Sequence, residues 1–277
     1  MLIDIHAHID DDKLKDDVEN VVKRASEAGV KYIVNATCDV NAIKDTLNLV
    51  KKFDNVYATL GIHPQALFEY NDEIENMIYA EKDNPKVIGV GEIGLDYHDM
   101  ETQIAYIKQS YPQYQNITED EVIKVQKDIF IKQIKLASRM NLPIVVHSRD
   151  ATQDTLEIIK EYADILPKKG LIHCFSGSTE IAREYFKLGF YISVGGSVTF
   201  KNARNIPEVL RQCGIANVML ETDCPYLCPE PYRGQINEPK NVVLVNDKIA
   251  DLLDMDYKEV EEITTANAHK LFGRLPC

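Results

Sequence analysis

Five of the seven histidines in this 277-residue chain fall at or near the ends of short apolar runs with the composition of β-strands. His6 and His8 close LIDIHAH, His63 closes VYATLGIH, His147 lies in PIVVHS and His173 in GLIHCFS. Two carboxylates hold equivalent places, Glu92 in VIGVGEIG and Asp223 at the end of VMLETD. Residues two apart on a strand face the same side, so His6 and His8 project together. A single histidine at a strand end is ordinarily a hydrogen-bonded core or loop residue, and a single buried acid is ordinarily half of an ion pair. A convergence of four imidazoles and two acids is a different case. Burying that set without a cation leaves unpaired charge and unsatisfied polar atoms, and divalent metal removes the penalty. Six nitrogen and oxygen donors exceed the four that one tetrahedral zinc accepts. The simplest partition uses two ions, with His6, His8 and Asp223 on one, His147 and His173 on the other, and Glu92 bridging both. With no thiolate in the set, Zn, Mn, Mg, Ni and Co are all admissible.

Elements that could bring these residues together follow from the strand spacing. Eight strand candidates begin near residues 2, 32, 56, 87, 143, 170, 190 and 218, with amphipathic segments of helical period between them. Most steps accommodate one strand, one helix and two loops, the βα unit of parallel sheets. Eight such units in about 250 residues predict an α/β fold of the closed (β/α)8 TIM-barrel kind, whose active site lies at the C-terminal ends of the strands. An open doubly wound sheet is the alternative, because periodicity alone does not show closure. The one long step holds a polar, tyrosine-rich stretch over residues 98–119, expected to be a loop insertion after strand four. No linker or composition break divides residues 1–277, which predicts a single domain, and the tail from Tyr257 is expected to pack as helix on the outside of the barrel.

Composition sets limits on function. Apolar residues make up 45% and charged residues 27%, which excludes disorder and fibrous repeats. The 31 basic and 44 acidic residues leave a net charge of −13, which argues against tight wrapping of DNA through counterion release. An enzyme handling one phosphate at a time is still allowed, because bound cations reverse the field locally. No apolar run reaches membrane-spanning length, the start lacks a basic region ahead of an apolar stretch, and the terminal RLPC is not a prenylation box. The six scattered cysteines, Cys277 among them, form no CxxC pair and predict free thiols in a reducing cytoplasm.

The ordered words DIHAHID, GIHP, GEIGLDY, VVHSRDA, LIHCFSG, GGSVTF, ETDCPYL, YRG with NEP, and NAHKLFG span almost the whole chain. Together they resemble the TatD-type metal-dependent deoxyribonucleases of the amidohydrolase superfamily. The resemblance implies that His6, His8, Glu92, His147, His173 and Asp223 are metal ligands, in agreement with the partition above. It also implies a phosphodiester substrate, typically the 3′ end of DNA and with single-stranded DNA expected here, and no obligate protein partner. On that reading Asp223 is the catalytic base and proton shuttle, Glu92 bridges, and His63 contacts the phosphate, protonates the leaving oxygen or simply fills the barrel mouth. Glu221 would orient a ligating histidine from behind. Arg149 would pair with a phosphate or equally with the adjacent Asp150, and Arg233, Asn237 and Glu238 in YRGQINEP match the substrate-side loop. The stretch after GLDY is longer than that family's usual segment. Its Tyr106, Tyr111 and Tyr114 could stack on bases, but ordinary packing against a helix is the expected role.

Two other functions fit the same residues. A barrel with two metals could hydrolyse a C–N or ester bond, as in a cyclic amide, a lactone or a mischarged aminoacyl-tRNA. Many dinuclear relatives of that kind bridge with a carboxylated lysine on strand four, where this chain has Glu92. A metal-stabilised binding protein without turnover is the third reading.

Overall fold

A computed structural model describes residues 1–276, so Cys277 lies outside the described residues. Eight strands form one sheet in sequential order, each parallel to the next. They are β1 (Leu2–Ala7), β2 (Val30–Ala36), β3 (Val56–Thr59), β4 (Val87–Asp96), β5 (Ile144–Arg149), β6 (Gly170–Ile172), β7 (Tyr191–Val194) and β8 (Val218–Leu220). The sheet curls into a nearly closed barrel with helices outside it, as the strand spacing predicts. No described helix is long and apolar enough to cross a membrane.

Most ladders are shorter than the sequence suggests. β1, β3, β6 and β8 stop before His8, His63, His173 and Asp223; His8 and His173 are the first residues past their strands, and Asp223 and His63 lie further into the loops. β4 behaves oppositely and continues to Asp96, because Leu95 and Asp96 stay in register with Ser148 and Arg149 of β5. Gly94 makes that extension possible. It adopts φ +148°, and a Cβ there would collide with the His147 carbonyl oxygen.

Two layers of side chains position the upper mouth. The barrel interior holds residues from every strand, including Ile5, Tyr57, Val145, Leu171, Tyr191 and Met219. Two residues on from Val145, Leu171 and Met219 come His147 in β5 and, just past the ends of β6 and β8, His173 and Glu221. The apolar layer is therefore the floor on which the polar cluster stands. From below, Ala268 and Leu271 of the last helix, α10 (Tyr257–Leu271), join Phe272 and Leu275 in the same layer. The tail thus plugs the bottom of the barrel instead of lying wholly outside, because its apolar residues extend past the helix end.

The stretch 98–119 also differs from expectation. It folds as a helix, α4 (Met100–Ser110), followed by a short turn at Pro112–Tyr114. Met100, Ile104 and Ile107 recur at helical spacing and pack with Leu67, Ile117 and Val122. The following helix, α5 (Glu119–Met140), starts in a capping box formed by Thr118 and Glu121.

No regular ladder joins β8 to β1, and a side chain takes its place. Thr222 donates its backbone N–H to Asp4 Oδ1 at 2.9 Å, and its hydroxyl lies 2.6 Å from Asp4 Oδ2. Above this clasp, Asp223 N–H donates to the His6 carbonyl at 3.0 Å and His8 N–H to the Cys224 carbonyl at 2.8 Å. Asp4 is fully buried, and burial pushes its carboxyl up to about 8. A neutral amide can reproduce both contacts, whereas a methyl group leaves two buried partners orphaned at about 1–3 kcal/mol each. We therefore predict that Asp4→Ala lowers unfolding free energy in urea by about 2–5 kcal/mol while Asp4→Asn loses less than half of that. An equal loss for both variants would contradict the clasp.

Candidate active site

Glu92 lies at the centre of the barrel mouth and is 3% exposed. Its two oxygens face different histidines. Oε2 lies 3.3 Å from His6 Nε2 and 3.6 Å from His8 Nε2. Oε1 lies 2.7 Å from both His147 Nδ1 and His173 Nε2, and 3.5 Å from His63 Nε2. Asp223 closes the first group, with Oδ1 3.5 Å from His8 Nε2 and 3.9 Å from His6 Nε2. All six residues expected to converge are brought together, and His63 joins them.

The spacing within each group suits a cation. Two nitrogens bound to one tetrahedral zinc at about 2.0–2.1 Å are separated by about 3.3–3.4 Å. His6 Nε2 and His8 Nε2 are 3.3 Å apart, and His147 Nδ1 and His173 Nε2 are 3.2 Å apart. Two bare imidazole lone pairs at that distance repel, and their natural resolution is a shared proton or a shared cation.

Hydrogen bonds on the far side of each ring sort ligands from donors. His8 Nδ1 lies 2.9 Å from the Ala36 carbonyl, which holds a proton on Nδ1 and leaves the Nε2 lone pair free to coordinate a cation. His63 is the reverse. Its Nδ1 accepts from Gln65 N–H at 3.1 Å, so the neutral ring carries its proton on Nε2, facing Glu92. His63 could complete a donor set with Glu92 and His147 on distance alone, but that proton makes it a hydrogen-bond donor instead. The Nδ1 atoms of His6 and His173 have no hydrogen-bond partner. Their rings stack at 3.9 Å, and Glu221 stands 3.9 Å from His173 Nδ1, beyond hydrogen-bond reach. Glu221 accepts instead from Ser193 Oγ at 2.5 Å and Cys174 N–H at 2.8 Å.

Electrostatics follow from burial and crowding. Burial and neighbouring His173 push His6 down to about 4, and burial and His147 push His63 down to about 3, so both are neutral at physiological pH. Burial opposes charge on His147 as well, but Asp96 and Glu92 outweigh it and raise the ring to about 9. Glu92 lies well below the ordinary carboxylate range, since the histidines around it overcome its burial, and Asp223 is lowered for the same reason. Burial lifts Glu221 to about 7.

Three residues in and around this site are not among the candidates read from the sequence. Asp96, at the end of β4, places Oδ2 3.2 Å from His147 Nε2. Gln126 on α5 receives the Asp96 backbone N–H and donates to the Asp96 carbonyl, both at 2.9 Å. Seven residues on, Gln133 does the same for Ile62, at 2.8 and 2.9 Å, and so fixes the backbone next to His63. Both glutamines are buried.

The expected substrate-binding residues divide. Arg149 lines the cleft above the cluster, and the neighbouring Asp150 pairs with His98 instead, at 2.7 Å. Arg233, Asn237 and Glu238 do not line it. Arg233 lies 4.2 Å over the Phe200 ring. Buried Asn237 spends its amide on the Thr222 and Tyr226 carbonyls at 2.9 and 2.8 Å. Glu238 pairs with Arg24 at 2.7 Å and Lys240 at 3.4 Å. Asn237 and Glu238 thus have polar atoms already engaged within the protein, and Arg233 stacks on an aromatic ring.

A pH signature follows for the metal-free protein. His147 (to about 9), Asp4 (to about 8) and Glu221 (to about 7) all have folded pKa values above their ordinary ones. The folded state therefore binds more protons than the unfolded chain above the ordinary histidine pKa of 6.5. We predict that metal-free stability falls as pH rises from about 6.5 to 9, whereas stabilisation by added Zn or Mn grows over the same range. Thermal melts at several pH values, with and without metal, check this, and parallel curves would refute it.

Comparison with known proteins identifies the family. The chain matches the family described as TatD related DNase over residues 3–273. It is 39% identical to the metal-dependent hydrolase YabD of Bacillus subtilis, over 98% of this chain and 99% of that one. It is 33% identical to the metal-dependent hydrolase YcfH of Escherichia coli, over 98% and 95%. The crystal structure of YjjV, a TatD homologue from Escherichia coli, superposes with TM-score 0.86 at 29% identity, covering 99% of this chain and 98% of that one. With its barrel and its histidine–carboxylate cluster, the chain belongs to the TatD family of metal-dependent hydrolases.

Proposed function

We propose that the protein is a dinuclear phosphodiesterase that removes nucleotides from the 3′ end of DNA, acting as an exodeoxyribonuclease. The observation that carries this reading is the split of Glu92, whose Oε2 faces His6 and His8 while Oε1 faces His147 and His173. In this reading His6, His8 and Asp223 would hold one divalent ion, and His147 and His173 would hold a second, with Glu92 available to both sets. Ions of this kind bring the pKa of a bound water to about 7 and neutralise phosphoryl oxygens.

The chain's own groups perform the remaining tasks. Ionised Asp223 accepts the proton of the attacking water. As the phosphorus–oxygen bond to the neighbouring nucleotide breaks, Asp223 returns that proton to the leaving 3′-oxygen, so the base is regenerated. Arg149 at the rim pairs with a non-bridging phosphate oxygen. His63, neutral and protonated on Nε2, donates a hydrogen bond to the phosphate. Burial and His147 keep this ring neutral, so it has one Nε2 proton to share with the phosphate.

Hydrolysis of an amide, lactone or aminoacyl ester uses the same centre, but no lysine lines the cleft among the described residues, and Glu92 occupies the bridging place. The test reloads metal-stripped protein with Mg, Mn or Zn and offers a labelled single strand beside a panel of amides and lactones. We predict mononucleotide release that falls at least about 100-fold in Glu92→Ala and Asp223→Ala with folding intact. Turnover of an amide or lactone with no release from the strand would overturn the proposal.

A further inference from the structure

The cleft above the cluster has a volume of about 1130 Å³, and its wall residues are ill suited to a long polyanion. Asp39, Asp96 and Asp99 line it, and Arg149 is the single lysine or arginine doing so among the described residues. Beyond the scissile phosphate, a strand crossing this surface meets carboxylates rather than a basic track. Affinity must then come from something other than charge.

Two exposed aromatic side chains supply it. Tyr106, on α4, is 56% exposed and lines the cleft. It escapes the cluster that holds its helix, in which Tyr111 and Tyr114 pack on Phe68 with ring centroids 5.3 and 4.2 Å away. Tyr226, past β8, also lines the cleft, is 47% exposed, and sits with its ring 6.5 Å from that of His8. It is fixed in place by a hydroxyl bond to Asp11 at 2.9 Å and by the Lys13 ammonium 4.8 Å from its ring centroid. In an eight-stranded ring the loops after strands four and eight stand on opposite sides, so these two tyrosines line the cleft from opposite sides of the mouth.

We infer that the cleft takes only the last few nucleotides of a single strand, held by stacking of their bases on Tyr106 and Tyr226 and not by contacts along the backbone. This rests on the nuclease reading and specifies its substrate as a short, unpaired end. Electrostatics gives the quantitative contrast. Single-strand affinity falls with salt at a logarithmic slope of about 0.7 per phosphate contact. One or two such contacts, with Arg149 the cationic side chain of the cleft wall, change affinity by less than about tenfold between roughly 50 and 200 mM salt, whereas six change it by several hundredfold.

The experiment measures KM and kcat of the metal-loaded full chain on single strands of about 4 to 20 nucleotides at both salt concentrations. It is paired with fluorescence of 2-aminopurine as the terminal base of a phosphorothioate strand that resists cleavage. We expect KM to be independent of length within about threefold and to shift less than about tenfold with salt. Tyr106→Ala and Tyr226→Ala should raise KM roughly tenfold, with kcat within about threefold, and should abolish the 2-aminopurine quench that Phe at either position restores. A KM that keeps falling with length, a salt effect of several hundredfold, or an unchanged quench in both alanine variants overturns the inference alone. Absence of nucleotide release from every strand overturns it together with the nuclease reading.

Discussion

Five imidazole nitrogens lie within 3.6 Å of the two oxygens of Glu92, in a part of the barrel that water barely reaches. That crowding is the constraint on which the other features of the site depend. Neutral imidazoles bring one proton each, and His8 has committed its own to the Ala36 carbonyl. Protons shared among the rings satisfy the carboxylate only by placing like charges side by side, and the low pKa values of His6 and His63 against the high value of His147 express that conflict. Cations resolve it with no such conflict, because each nitrogen then offers a lone pair to a positive centre.

The barrel serves this cluster in layers. An apolar floor drawn from all eight strands, plugged from below by Phe272 and Leu275, fixes the height at which His147 and His173 emerge. The weak point of the ring is the β8–β1 seam, and His6, His8 and Asp223 stand directly above it. The Asp4–Thr222 clasp and the two backbone bonds above it therefore fix the seam and the first group of donors together. On the opposite side, the two buried glutamines of α5 hold the backbone at Ile62 and Asp96. Catalytic geometry tolerates little displacement, and these contacts confine the pieces of chain that carry it.

Much of this was legible in the sequence. Histidines and acids at the ends of β-branched runs identify the donors, since a strand's two-residue period and the polarity of a parallel barrel send them to one rim. Asp96 was hidden because its position depends on how far β4 stays in register with β5, a pairing between distant segments. Gln126 and Gln133 read as ordinary polar residues of an amphipathic helix, and only their burial distinguishes them. Arg233, Asn237 and Glu238 show the converse limit. Their motif is plain, but whether a polar residue is free for substrate depends on partners such as Phe200 and Arg24 that lie far away in sequence. The three tyrosines of residues 98–119 separate for a similar reason. The helical phase of α4 leaves Tyr106 outside the apolar strip that buries Ile107, while Tyr111 and Tyr114 fall past the helix end against Phe68.

The central claim, that Glu92 joins two separate sets of donors, is tested most directly by counting ions. Metal-stripped protein dialysed against Zn or Mn, then assayed for bound metal per chain, should retain two equivalents, and Glu92→Gln should retain at most one while keeping its far-UV circular dichroism. A wild-type chain that holds one ion or none, or a Glu92→Gln variant that still holds two with unchanged affinity, would contradict the account.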